Sequence, residues 1–233
     1  MKITLFKLEY LFLLFIIYSF LGWFLEVTCK SIENKRLINR GFLIGPWCPI
    51  YGWGCILIIF LLTKFSENFF ALFCMSIIIC SVLEYFTSYI MEKIFKARWW
   101  DYSRWKYNIN GRICLETMIP FGILGSLVVY YLHPFILSII NRMSNQTIST
   151  LSLILIAFFI MDNLVSYHIM FRLKIPKLKV EKDSTEEITK YVRSLISQRS
   201  FLYKRLMNAY PHMVVLKNKI KSLNNDIDEV NEY

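Results

Sequence analysis

Three acidic residues lie at the edges or inside of long apolar stretches: Glu26, Glu84 and Glu116. An ionised carboxylate at bilayer depth costs at least a few kcal/mol, so such groups mark candidate functional sites. The adjoining connections carry Arg40, Arg98, Arg112 and Asp101. Guanidinium groups there pair with the acids or grip an anion bidentately. Asp162 lies deeper in another apolar run, with His168 six residues on. That spacing puts the two on different faces of an ideal helix, which disfavours a proton relay. Asp162 is instead expected to hydrogen-bond from one helix to another.

The rest of the chain has to hold those groups in place, and its composition says how. Of 233 residues, 56% are hydrophobic, 17% aromatic and only 19% charged, with mean hydropathy +0.44. This excludes a disordered chain and leaves too few polar side chains to coat a soluble domain. Five stretches read as membrane spans by length and apolarity: 10–25, 41–63, 68–92, 117–141 and 143–171. The expected fold is therefore an all-α polytopic helix bundle over residues 1–175, followed by a charged helical tail over 176–233. Residues 172–233 hold 13 Lys/Arg and 8 Asp/Glu, against 14 and 9 in the much longer 1–171. The excess positive charge flanks spans, so it is read as membrane topology and not as nucleic-acid binding.

Lys30, Lys35, Arg36 and Arg40 follow the first span, and six Lys/Arg from Lys93 to Arg112 follow the third. Arg172, Lys174, Lys177 and Lys179 open the tail, whereas the opposite loops hold only Lys64 and Arg142. The positive-inside rule then places the N-terminus outside and the C-terminus in the cytoplasm of a multi-pass plasma-membrane protein. Lys2 and Lys7 argue mildly against this. The first span is retained and not a signal peptide, since no A-x-A-like cleavage site follows it. Glu26, Glu84 and Glu116 thus converge near the inner leaflet.

Two connections are dense in special residues. Asn39-Arg40-Gly41 through Gly52 holds three glycines and two prolines. Broken backbone at membrane depth survives where protein or a watery cavity satisfies it, so a re-entrant turn is expected. Arg98-Trp99-Trp100-Asp101-Tyr102-Ser103, then Asn108 to Glu116 with Asn110 and Arg112, reads either as an aromatic anchor or as a headgroup or anion contact. Six cysteines contain no C-x-x-C pair, so neither a disulfide framework nor a zinc site is indicated, and no other cofactor or metal is expected. In the tail, Ser184-Thr185-Glu186-Glu187 forms a capping box. Apolar residues then follow on one face from Ile188 to Leu206, and Leu216, Ile220, Leu223, Ile227 and Val230 step in heptad fashion. An amphipathic helix against the membrane or the protein is favoured over a coiled coil. His212 is solitary and is given no ligand role.

NRGFLIGPWCPIYG, Leu83-Glu84-Tyr85, RWWDYS and NINGRICLE, with Gly22-Trp23 and Glu26, resemble the type IV ABC-transporter permease family of small bacterial membrane proteins. The likeness covers roughly residues 18–135. It implies a transport subunit acting with a separate ATPase, because the chain contains no G-x-x-x-x-G-K-[ST] loop. Five spans are few for a pore, so a homodimer or partner subunit is expected, with Gly122 and Ser126 offering a close-contact face. Two other readings stand beside it: an interfacial protein or enzyme for lipid or a lipid-linked precursor, and a non-catalytic scaffold using the tail to dock. No nucleophile–base pair can be named. The candidate polar cluster comprises Glu26, Asn39, Arg40, Glu84, Asp101, Asn110, Arg112 and Glu116, with Asp162 as a secondary candidate.

Overall fold

The computed structural model describes residues 2–95 and 97–171 and, in the tail, residues 205, 209, 214 and 215. The tail's capping box, its amphipathic run and its heptad pattern, like His212, lie outside the described residues.

The chain folds into a bundle of helices: α1 (Lys2–Asn34), α2 (Pro49–Leu62), α3 (Phe69–Phe95), α4 (Leu115–Leu127), α5 (His133–Ile140) and α6 (Asn145–Phe171). A π-helical turn, Val128–Leu132, joins α4 to α5. Among the described residues, four helical stretches are long and apolar enough to cross a membrane: Lys7–Asn34, Phe69–Phe95, Leu115–Ile140 and Asn145–His168. The second expected span differs. Only its later part is helical, Pro49–Phe65 including a terminal 3₁₀ turn, and it is shorter than the other four. Residues 35–48 form irregular backbone before it, because Gly41, Gly45 and Pro46 break the ladder.

Local chemistry sets the ends of these elements. Lys35 takes a left-handed conformation (φ 50°), and Arg36 N–H donates to the Ser31 carbonyl at 3.2 Å, closing α1. Pro49 opens α2, where its missing N–H is harmless. The Asn68 side chain accepts the Ala71 N–H at 3.0 Å and caps α3, and Ser144 accepts the Thr147 N–H at 3.1 Å to cap α6.

Packing follows from small residues at helix crossings. A β-carbon at Gly22 would overlap the Tyr51 ring, and one at Gly52 would strike Ser19 and Phe15, so α1 and α2 lie in close contact. Gly22→Ala is accordingly expected to lose about 1–3 kcal/mol through overpacking. A lowered melting temperature in detergent is the measurement. Gly122 and Gly125 likewise press on Phe73, Ser76 and Ile77 of α3, and Ser126 is buried, donating to the Gly122 carbonyl at 2.9 Å. The small-residue face expected to serve a second copy is therefore occupied by α3 of the same chain.

One core cluster joins Leu13, Leu14 and Tyr18 of α1 to Ile136 and Ile140 of α5 and Ile148 of α6. Within it the Tyr18 hydroxyl meets His133 Nδ1 at 2.7 Å. Two short antiparallel ladders complete the fold. β2 (Asn108–Ile109) pairs with β3 (Ile113–Cys114), and β1 (Ala97–Arg98) pairs with β4 (Val214–Val215), so a tail segment returns to the body. Residues 35–48 and 97–114 and the C-terminal ends of α1, α3 and α6 gather at one end of the bundle.

Candidate functional site

On α3, Ser76, Cys80, Glu84, Ser88 and Glu92 recur every four residues and form one polar stripe. Glu84 is buried (8% exposed). One of its oxygens accepts a hydrogen bond from the Tyr102 hydroxyl at 3.4 Å. The other, Oε2, is buried and has no hydrogen-bond partner among the described residues. Such an atom bears the full desolvation penalty of its group.

Glu26 reaches the same place from α1. Arg40 Nε donates to its Oε2 at 3.0 Å, and the Tyr51 hydroxyl donates to its Oε1 at 3.1 Å. Glu26, Arg40, Tyr51, Glu84, Trp99, Trp100 and Tyr102 line a cavity of about 460 Å³ between α1, α2, α3 and α4. Burial and the nearby Glu84 carboxyl push the Tyr102 hydroxyl well above the usual phenol range, so it remains a donor. Glu84 is the carboxylate in this cavity without a cationic partner among the described residues.

A second network closes the end of α3. Glu92 accepts from Arg98 Nε at 2.9 Å and from Arg112 Nη2 at 3.1 Å, with Arg112 Nη1 3.0 Å from its other oxygen. Arg112 is buried (7% exposed), lies over the rings of Tyr85 and Tyr89, and meets Ser88 at 3.4 Å. Arg98 also reaches Asp101 at 3.5 Å. Burial works to raise the Asp101 carboxyl, but hydrogen bonds from the Ser103 hydroxyl and amide and the Arg98 charge hold it below the usual range. Asn110 (φ 53°) and Gly111 (φ 66°) make the positive-φ turn of the β2–β3 hairpin, closed by Arg112 N–H to the Ile109 carbonyl at 3.0 Å. The hairpin puts Arg112 against α3, and Asn110 donates to the Tyr85 hydroxyl at 2.9 Å.

A third network holds the irregular segment. Asp162 of α6 accepts the N–H groups of Ile44 (3.0 Å) and Gly45 (2.8 Å), the Trp47 indole N–H (2.8 Å) and the Ser166 hydroxyl (3.1 Å). It bonds helix to loop, not helix to helix as expected, because the broken backbone presents unpaired donors that a regular helix would not. His168 is exposed on the same helix. Asn39 accepts the Trp23 indole N–H at 2.8 Å and so aligns Arg40 with Glu26. The Arg40 guanidinium also donates to the Ala209 carbonyl, and Arg205 donates to the Leu43 and Gly41 carbonyls.

The structure thus brings Glu26, Arg40 and Glu84 to one cavity, and separates Asp101, Asn110 and Arg112 into the network around Glu92. Glu116 joins neither. It is exposed in the first turn of α4, where a negative charge favours the helix N-terminus, so the third member of the expected acidic trio is displaced. Of the two expectations for the arginines, pairing with acids or gripping an anion, the first describes Arg40, Arg98 and Arg112, which are engaged by carboxylates. Tyr51, Tyr102 and Glu92 are residues of these networks that the sequence reading leaves out of its candidate cluster. The signal for Glu92 is its eight-residue spacing from Glu84, two steps of four along α3.

Apolar helices around a buried, partly uncompensated carboxylate cavity define a polytopic integral membrane protein. The chain belongs to the family described as "Putative ABC-transporter type IV", which matches residues 13–167. No curated protein and no solved structure matches it.

Proposed function

We propose that the chain is the permease-like membrane component of an ABC-type transporter, and that the cavity walled by Glu26, Tyr51, Glu84 and Tyr102 holds its ligand. The observation that supports this is the unpartnered Glu84 Oε2, buried in a cavity of ligand size. A buried polar atom left unsatisfied is retained where something else completes it, here a ligand group or a proton in transit. Glu26 is held by Arg40 and Tyr51 and acts as the positioned neighbour. ATP hydrolysis belongs to a separate subunit that docks on the positively charged end formed by residues 35–48 and 97–114. That end faces the cytoplasm by the positive-inside rule.

Complementation of a deletion strain tests the reading. Glu84→Gln is expected to abolish complementation at unchanged membrane abundance, whereas Glu116→Gln restores the wild-type phenotype. A Glu84→Gln protein that complements fully removes the proposed site.

A further inference from the structure

A second chamber, about 880 Å³ in volume, lies beside the polar cavity. It runs along the bundle from Leu8 and Leu153 near one end to Trp100 and Tyr167 near the other, walled by α1, α2, α3, α6 and residues 42–43. Its lining is chiefly aliphatic and aromatic, with Glu9, Thr87 and Asn163 among its few polar side chains. Cys48, Ile50 and Trp100 line both chambers, so the two adjoin along one wall. The Trp100 indole is oriented there by its hydrogen bond to the Arg112 carbonyl, at 3.0 Å.

The charges beside this wall do not cancel. Arg40 neutralises Glu26, and Lys30 pairs with Glu33, leaving Glu84 as the carboxyl of the polar cavity without a cation among the described residues; the buried Glu9 lies at the far end of the apolar chamber. Tyr51, Trp99, Trp100 and Tyr102 surround the same space. A carboxylate among aromatic side chains favours an organic cation, which such rings attract when it lies over their faces. An apolar chamber alongside favours an alkyl chain on that cation.

The geometry points to an alkylammonium amphiphile as the ligand, its ammonium beside Glu84 and its chain in the apolar chamber. This rests on the polar cavity being the ligand site. The ammonium comes from a membrane aminolipid or from a free long-chain amine, and both present the same chemistry.

The full-length protein in maltoside micelles, which contain no ammonium group, with empty micelles as the control for partitioning, provides the test. Labelled hexadecyltrimethylammonium is expected to bind saturably, about tenfold or more tighter than tetramethylammonium or hexadecyl sulfate. Glu84→Gln is expected to weaken every cationic probe about tenfold or more. Ile156→Trp, which narrows the apolar chamber, is expected to weaken the long-chain probe while leaving tetramethylammonium unchanged. Displacement of the probe by phosphatidylethanolamine assigns the ligand to the membrane, and displacement by hexadecylamine alone assigns it to a free amine; either supports the proposal. Equal binding of short and long cations, with no effect of Ile156→Trp, overturns the amphiphile and leaves the polar site standing. Equal binding of hexadecyl sulfate overturns the cation. Wild-type binding by Glu84→Gln overturns both this inference and the site it rests on.

Discussion

Replacing Asp162 with alanine is expected to free residues 44–47 and to open Cys48 to thiol reagents. Two backbone N–H groups, one indole N–H and the Ser166 hydroxyl all converge on that carboxylate. Hydrogen bonds to a charged group contribute roughly 1.5–3 kcal/mol each, and donors left unsatisfied add a penalty of their own. Cys48 is 9% exposed and its N–H is held by the Ser19 carbonyl at 2.9 Å, so in the wild-type protein it is shielded. Maleimide labelling in membranes, with the other cysteines replaced by serine, reads the change directly. The isosteric Asp162→Asn should fall between wild type and alanine, because its amide oxygen still accepts one pair of donors while its NH2 group puts a donor opposite the other pair. Wild-type labelling in both variants would show that the glycines and prolines, and not Asp162, fix the segment.

The second large effect is expected at Arg112. This buried side chain holds the half-buried Glu92 through two nitrogens, reaches Ser88 and lies over two tyrosine rings. Removing one partner of a buried ion pair costs about 3–5 kcal/mol, since the other charge is left uncompensated. Glu92 is only half-buried and Arg98 still contacts it, so Arg112→Ala should fall below that range, at about 1–3 kcal/mol. Thermal unfolding in detergent is expected to show a clearly lowered midpoint. Arg112→Lys should recover only part of the loss, because an ammonium lacks the planar fork that spans both carboxylate oxygens. Recovery to the wild-type midpoint would reduce Arg112 to a point charge.

Much of this was legible in the sequence for a plain reason. An apolar run without charges has few alternatives to a span, so the helical bundle follows from hydropathy alone. The helix break at residues 41–48 follows equally directly from Gly41, Gly45 and Pro46. The convergence of Glu26 and Glu84 follows from alternation of spans, but alternation gives depth and not direction around the helix. Glu116 shares the depth of the other two and sits on an exposed face, which depth cannot distinguish. The arginine partners were hidden for a related reason. Arg112 finds Glu92 because the Asn110–Gly111 turn folds the loop back on α3, and that pair is itself a strong hairpin signal that a reading of the loop as an anion contact does not use. Asp162 carried the right chemistry with the wrong partner. Its donors come from a segment 115 to 118 residues earlier, a distance that no local pattern reports.

The π-helical turn at Val128–Leu132 lets a single membrane crossing serve two neighbours. Such a turn holds about one residue more than an α turn, which rotates whatever follows it by about 100°. Before it, Gly122 and Gly125 face α3; beyond it, Ile136 and Ile140 join the cluster with α1 and α6. Pro134, two residues past the turn, has no N–H to give to a helical partner, so the loosened hydrogen bonding falls where one bond is already forfeited. The crossing thus changes partner partway: the half before the turn is fitted to α3, and the half beyond it carries His133 to its hydrogen bond with Tyr18.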